Sequence, residues 1–419
     1  MRAMKDSGIE CVGDIPVDWS MRRLRFLCFI TTGNQDTQDN DPDGEYPFYV
    51  RSPIVERSHK YTFDGPAILM SGDGAGAGRI FHKVSGKYAC HQRVYSMQNI
   101  HDIDSAFLFY YLRELFPVTL EMANAKSTVD SVRLPMLQDF TVLLPSPAEQ
   151  QRIAAYLDEQ CGEIDRVLAK TQESIEEYKK LKQSVITEAV TKGIRPDRPM
   201  KPSGIEWIGD IPEEWEVRPF RTILTERNEK NLPAKTEERL SLSIDLGVTK
   251  YAEKTTNLDR FKEDVTQYKL AYPGDLVLNS MNMIVGAVGV SPYFGCVSPA
   301  YYTYYDKSSS GVAARFCDFL FRTRIMRRVL RSLGKGIYSI ERGDDRVNTC
   351  RLKVAREDLR ALKIPLPSET EQTEIVAHLD QQCAEIDRLI AKKEQIITEL
   401  ESYKKSLIYE CVTGKREVE

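Results

Sequence analysis

The sequence predicts a mixed α/β (α+β) chain: two similar globular domains joined by two long antiparallel helices in a pseudo-twofold, circular arrangement. Three observations predict it. Residues 7–19, SGIECVGDIPVDW, and 203–215, SGIEWIGDIPEEW, are identical at nine of thirteen positions. Residues 157–166, LDEQCGEIDR, and 379–388, LDQQCAEIDR, are identical at eight of ten. Each copy of the second motif lies in a long amphipathic segment, and a repeat on this scale decides the architecture before any local pattern does. At 419 residues the chain suits two to four domains, each with its own core.

The elements follow in order. After the box at 7–19 comes a variable region, 20–145. Within it GPAILMSGDGAGAG (65–78) reads as an apolar strand running into a small-residue loop, and YACHQRVYSM (88–97) reads as strand-like. Phe107, Leu108, Tyr111, Leu112 and Leu115 mark a helix face. VLLPSPAEQQ (142–151) leads through Pro147 into the first long helix. Its seam runs Leu157, Ile164, Leu168, Thr171, Ile175, Tyr178, Lys182, Val185 and Ala189, with Gly193, Pro196 and Pro199 as the stop. The second half repeats the order. GDLVLNSMNMIVGAVG (274–289) and GCVSPAYYTYY (295–305) precede one helix with the stripe Phe316, Phe319, Leu320, Val329 and Leu330. Pro367 in IPLPSETEQ (364–372) then marks the second long helix, with seam Leu379, Ile386, Ile390, Lys393, Ile397, Leu400, Lys404, Leu407 and Cys411.

The domain division that results is 1–145, 146–195, 196–365 and 366–419. Each long helix has about 40 residues, roughly 60 Å at 1.5 Å per residue. A stripe of that length needs a partner, and the nearest is the other copy. Antiparallel pairing places a globular domain at each end of the rod. It also brings box 7–19 just after helix 2, as box 203–215 follows helix 1, so the circle closes.

Composition narrows the function. No apolar run approaches the roughly 18 residues of a membrane span, and the N-terminus MRAMKDSGIE lacks a signal peptide, so a cytoplasmic protein is expected. Nine cysteines contain no C-x-x-C pair, and Cys161 and Cys383 sit at equivalent places on an apolar helix face as small hydrophobes. A net charge of −4 argues against a uniformly basic coat but allows a local basic surface. GDGAGAG (72–78) lacks both the P-loop and the G-x-G-x-x-G order and suits a flexible loop or a close approach to DNA. No Pro-Pro dipeptide exists, so the [ND]-P-P-[FYW] motif of amino-methyltransferases is absent. No nuclease carboxylate cluster, hydrolase triad or zinc spacing is evident, so catalysis is expected from partners.

The repeated SGIE-(W/C)-(I/V)-GDIP-x-x-W box, the P-S-x-x-E-Q entry to the helix and the LDxQCxEIDR helix with its VTxG or VTG end resemble the specificity subunits of type I restriction-modification systems. The resemblance covers essentially the whole chain; Cys11 in place of Trp207 is one local departure. It implies a non-catalytic subunit with two target recognition domains, each reading one half of a split double-stranded DNA sequence. It also implies partners: two methyltransferase subunits seated on the helices and two restriction-translocase subunits. No cofactor is expected in this chain, whereas the partners would use S-adenosylmethionine, ATP and Mg2+. An adaptor joining two protein-binding domains is the competing class, and a free-standing enzyme the third.

Candidate DNA-binding residues come from local charge. Between Arg315 and Arg356, twelve basic residues (Arg315, Arg322, Arg324, Arg327, Arg328, Arg331, Lys335, Arg342, Arg346, Arg351, Lys353 and Arg356) face Asp318, Glu341, Asp344 and Asp345, a net +8. Phosphates call for such a surface, although any single arginine here also suits a solvated helix face. From this stretch Arg324, Arg327, Arg328, Lys335 and Arg346 are the candidates, with Asn279 and Asn282 because Asn reads base edges. In the first domain they are Arg79 and Lys83 after the glycine loop, Gln92 and Arg93 in the strand-like segment, and Lys126 and Arg133 after the helix. His91 suits a core residue as well as a DNA contact.

Overall fold

The computed structural model describes residues 2–124, 131–253, 264–308, 310–337 and 351–418. Contacts divide the chain into two compact units, Met1–Glu173 with Lys393–Glu419, and Ser174–Lys392. Each unit therefore takes one variable region and a part of each long helix.

In the first unit, β1 (Met4–Asp6) and β2 (Asp14–Pro16) form the antiparallel hairpin of the box. β3 (Ser20–Arg23) is followed by β4 (Phe29–Thr32), β5 (Tyr46–Tyr49), β6 (Val55–Ser58), β7 (Phe63–Asp64), β8 (Ala67–Ser71), β9 (Phe81–Val84), β10 (Lys87–Cys90) and β11 (Val94–Gln98). Then come α1 (Ser105–Asn124), α2 (Leu134–Gln138), β12 (Thr141–Leu144) and α3 (Pro147–Lys192). One sheet runs β4-β11-β8-β9 and a second β6-β5-β10-β7, while β12 pairs antiparallel with β3, so the variable region leaves where it entered. Alternation of apolar residues along β8 and β11 sends Ile68, Met70 and Met97 into one core with Phe107, Leu108, Tyr111, Leu112 and Leu115 of α1. That core also takes Leu157, Cys161 and Ile164 of α3 and Leu407, Ile408, Cys411 and Val412.

The second unit repeats the plan. β13 (Met200–Pro202) and β14 (Asp210–Pro212) form its box hairpin, and β15 (Glu216–Pro219) will pair with the last strand. β16 (Thr225–Glu226), β17 (Leu240–Ser243), β18 (Gly247–Lys250), β19 (Lys269–Ala271), β20 (Leu276–Asn279), β21 (Val288–Val290), β22 (Gly295–Val297) and β23 (Tyr301–Tyr305) follow. The sheet order β16-β23-β20-β21 matches β4-β11-β8-β9 of the first unit. After it come α4 (Val312–Arg322), α5 (Arg324–Leu333), the hairpin β24 (Gly334–Ile337) with β25 (Arg351–Val354), α6 (Arg356–Ala361), β26 (Lys363–Leu366) and α7 (Glu369–Val412). Its core joins Phe220, Leu278, Tyr304, Phe316, Leu320 and Leu330 to Ile186 and Val190 of α3 and Ile375, Leu379 and Cys383 of α7.

Three readings of the sequence change. The stripe from Phe316 to Leu330 is two helices, because Thr323 adopts φ −66°, ψ 149° and its Oγ accepts from Met326 N at 3.2 Å. That is an N-cap in the middle of an apolar pattern. His91, Gln92 and Arg93 form a turn between β10 and β11, closed by Val94 N donating to His91 O at 2.9 Å, and are not strand. Pro367 stands two residues before α7 begins.

The seam lysines have specific partners. In the first unit Lys404 Nζ donates to both carboxylate oxygens of Asp165 at 2.6 Å. In the second, Lys182 Nζ does the same to Asp387 at 2.7 and 2.6 Å. Asp165 and Asp387 occupy matching places in the repeat, as do Lys182 and Lys404. The same pair thus fixes the antiparallel register of the two helices within each unit.

The box joins the helix ends. Trp19 Nε1 donates to Glu149 Oε2 at 3.1 Å, and Trp215 Nε1 to Glu371 Oε2 at 2.9 Å. Arg2 and Arg198 form salt bridges with the same two carboxylates. Ser146 and Ser368 accept from the backbone N–H groups of Glu149 and Glu371 at 3.4 and 3.3 Å, the first half of a capping box. The glutamates that would complete it turn to the tryptophan and arginine instead. The C-terminal ends of the helices reach the same place: Gly193 has φ +80° and a Cβ there would stand 2.8 Å from Arg198 and 3.3 Å from Trp215. Gly414, φ +71°, lies as close to Pro16 and Trp19, and Tyr409 Oη donates to Cys11 O at 3.1 Å. The box that begins the chain is therefore seated on the end of α7, as box 203–215 is on the end of α3.

Candidate nucleic-acid interface

In the second unit α5 carries its charge on one side. Met326 and Leu330 are buried, whereas Arg324, Arg328 and Arg331, spaced so that they share a face, are exposed and have no ion pair among the described residues. Arg327 lies between these faces and is turned inward. Its guanidinium donates to Arg322 O at 3.0 Å and to Val285 O at 3.3 Å, and burial, then the charges of Arg324, Arg322 and Arg331, push its pKa down. It holds α5 against the turn after β20.

That turn contains the two candidate asparagines. Asn279 is buried and its Oδ1 accepts from Met281 N at 3.1 Å and Asn282 N at 3.3 Å, so this side chain shapes the loop. Asn282 is exposed at the loop surface. The hairpin β24–β25 is tied to the same loop by Val354 N donating to Ser280 O at 3.0 Å. On that hairpin Lys335 stands directly across from Lys353. Like charges opposite each other in an antiparallel pair are unfavourable, and only Lys335 has a described counter-ion, Asp358 at 3.0 Å. An anion such as a phosphate would relieve the pair. Arg346 lies outside the described residues.

Other members of the +8 stretch have internal partners. Arg315 pairs with Asp380, Arg322 with Asp318 at 2.7 Å, and Arg356 with Glu226 at 3.1 Å. Arg324, Arg328, Arg331 and Lys353 are exposed with no ion pair among the described residues, and Lys335 is exposed beside its one counter-ion, Asp358; Arg331 and Lys353 were not singled out from the sequence.

In the first unit the glycine loop follows β8, as the asparagine loop follows β20. Gly72 is wedged against the 91–93 turn, where a Cβ would lie 2.8 Å from Arg93 O. Arg79 is exposed and pairs with Glu121 at 3.0 Å. Arg93 is exposed beside Asp73, and Arg51, which was not a candidate from the sequence, reaches the other carboxylate oxygen of Asp73 at 3.2 Å. Gln92 is exposed and donates to Asp36 Oδ2 at 3.1 Å. His91 is buried, with Nδ1 accepting from Arg93 N at 3.0 Å, so it supports the turn. Arg133 is exposed at the start of α2. Lys83 is exposed on the edge strand β9 and lines a cavity of about 1250 Å³ with Arg22, Gln98 and Asp102, apart from the glycine loop. Lys126 lies outside the described residues.

Known proteins are similar to this chain. A family model described as the type I restriction modification DNA specificity domain matches residues 16–177. The type I restriction enzyme EcoDI specificity subunit of Escherichia coli is 24% identical over 420 residues, which cover 96% of this chain and 90% of that protein. The MjaVIII specificity subunit of Methanocaldococcus jannaschii is also 24% identical, covering 96% of this chain and 93% of its own. A chain from a structure described as the basis of complex assembly and conformational transition of the type I R-M system superposes with a TM-score of 0.67 at 16% identity, over 96% of this chain and 99% of that one, and shows the same fold. The chain thus resembles type I restriction-modification DNA specificity subunits over nearly its whole length, with residues 16–177 matching the model of that family's domain.

Proposed function

We propose that the two units read the two halves of a bipartite double-stranded DNA site, and that the box and helix surfaces seat two methyltransferase subunits, with two restriction-translocase subunits completing the complex. As a specificity subunit the chain is the recognition component and not the catalyst. S-adenosylmethionine, ATP and Mg2+ would be used by the partner subunits. One observation carries the reading: each unit has the same framework and the same box junction, yet the loop after its central strand, β8 or β20, adjoins a different basic surface. A framework held constant suits a partner bound twice, and a varied surface suits two different sequences.

The test is enrichment from a random duplex library by the chain assembled with methyltransferase subunits. Two short conserved blocks separated by an unspecified gap are expected. A chain that assembles but enriches no sequence would instead be an adaptor. Among the described residues no helix is long and apolar enough to cross a membrane.

A further inference from the structure

Two arginines of the first unit converge on one acid. Arg51 Nη1 lies 3.2 Å from Asp73 Oδ1, and Arg93 Nε lies 3.7 Å from Asp73 Oδ2. The acid is the fixed partner. Asp73 pairs with Ser131 in a β-bridge, its carbonyl accepts from Ser71 Oγ at 3.3 Å, and the preceding Gly72 N donates to Arg93 O at 2.8 Å. Its side chain is 24% exposed, against 47% for Arg51 and 64% for Arg93.

Such an arrangement is poorly explained by stability, because exposed ion pairs contribute little to it. Two cations on one anion also leave a charge of +1 uncompensated and hold like charges near each other. What the arrangement does provide is direction. Arg51 is held by one hydrogen bond and Arg93 by an ion pair through Nε, and both side chains are about half exposed or more, so each fork keeps N–H groups that a ligand can reach. A guanidinium presented in this way matches the two acceptors of a guanine edge, O6 and N7.

We propose that Asp73 is a positioning residue that holds Arg51 and Arg93 as base-reading side chains for one DNA half-site. This rests on the DNA-reading function proposed above. It assigns specificity to a carboxylate that itself repels phosphate, and to Arg51, which lies far from Asp73 in sequence.

The experiment is duplex-library selection with the chain assembled with methyltransferase subunits, comparing the wild type with Asp73→Asn, Arg51→Lys and Arg93→Lys. Both lysine variants keep the charge and lose the fork. Discrimination is expected to fall by about tenfold or more at one or two positions of a single half-site, the same positions for Asp73→Asn as for the lysine variants. The other half-site should be unchanged. If Asp73→Asn does not fold, the lysine variants alone decide. Unaltered preferences in the lysine variants, or in folded Asp73→Asn, would overturn the proposal, as would a uniform rise in affinity for all sequences on removing the acid. A wild-type complex that enriches nothing would instead count against the DNA-reading function itself.

Discussion

Single residues divide into those that hold each unit together from within and those free to meet a ligand. Glu371 and Arg198 are nearly buried, at 5% and 9% side-chain exposure, with the Trp215 indole on the same carboxylate. Removing one partner strands a buried charge, so Glu371→Ala should destabilise the second unit by about 3–5 kcal/mol, measured by denaturation followed through tryptophan fluorescence. A loss below about 1 kcal/mol would mean the junction is not the fastening described. The basic helix separates in the same way. Arg324→Ala and Arg328→Ala should change stability by no more than about 0.5 kcal/mol, weaken binding to all duplexes and flatten its salt dependence. Arg327→Ala should instead lower the melting temperature of the second unit, since its guanidinium bonds two backbone carbonyls. The reverse assignment would place the DNA surface elsewhere. Charge density was legible in the sequence, but direction was not. Four arginines within eight residues cover more than one helix face, and only the packing of Met326 and Leu330 decides which one turns inward. Arg51 was invisible for another reason: it follows β5 of one sheet and Asp73 follows β8 of the other, so only the fold brings the two together.

Elements were easier to read. The 3-4 spacing of both long helices and the position of Lys182 and Lys404 in their seams were visible in the sequence, and each lysine proves to hold an aspartate of the other helix. The break at Thr323 escaped because the apolar stripe continues through it; a threonine three residues before Met326 was the available sign. The structure also shows where helix length can be altered. Ile186 and Val190 pack with Ile211 and Trp215 of the second box, so an insertion after Thr191 would disturb that unit's own core. Matched four-residue helical insertions where the units divide, near Glu173 in α3 and Lys393 in α7, leave both cores intact. Under the proposed function, each adds about one helical turn, and methylation mapping should show the gap between half-sites lengthened by about one or two base pairs with the bases unchanged. Altered bases with an unaltered gap would contradict a spacer role.

For the whole molecule, the duplicated box and helix motifs gave the architecture, because they are the parts that pair with one another. The variable regions aligned weakly, and their shared sheet order emerges only from strand pairing. That pairing also shows where the chain can be cut. β3 and β12 lie side by side, while Trp19 and Glu149 stand just outside them, so residues 20–145 can be exchanged for the matching region of a relative with the Trp19–Glu149 bond kept, provided the donor supplies a residue to pack on Trp19 as Phe107 does. The most direct measurement is a methylation map of cells carrying that exchanged chain with its partner subunits. Two independent reading units require one half-site to change to that of the donor, with the other half-site kept base for base. A change in both halves, or in neither, would contradict the account.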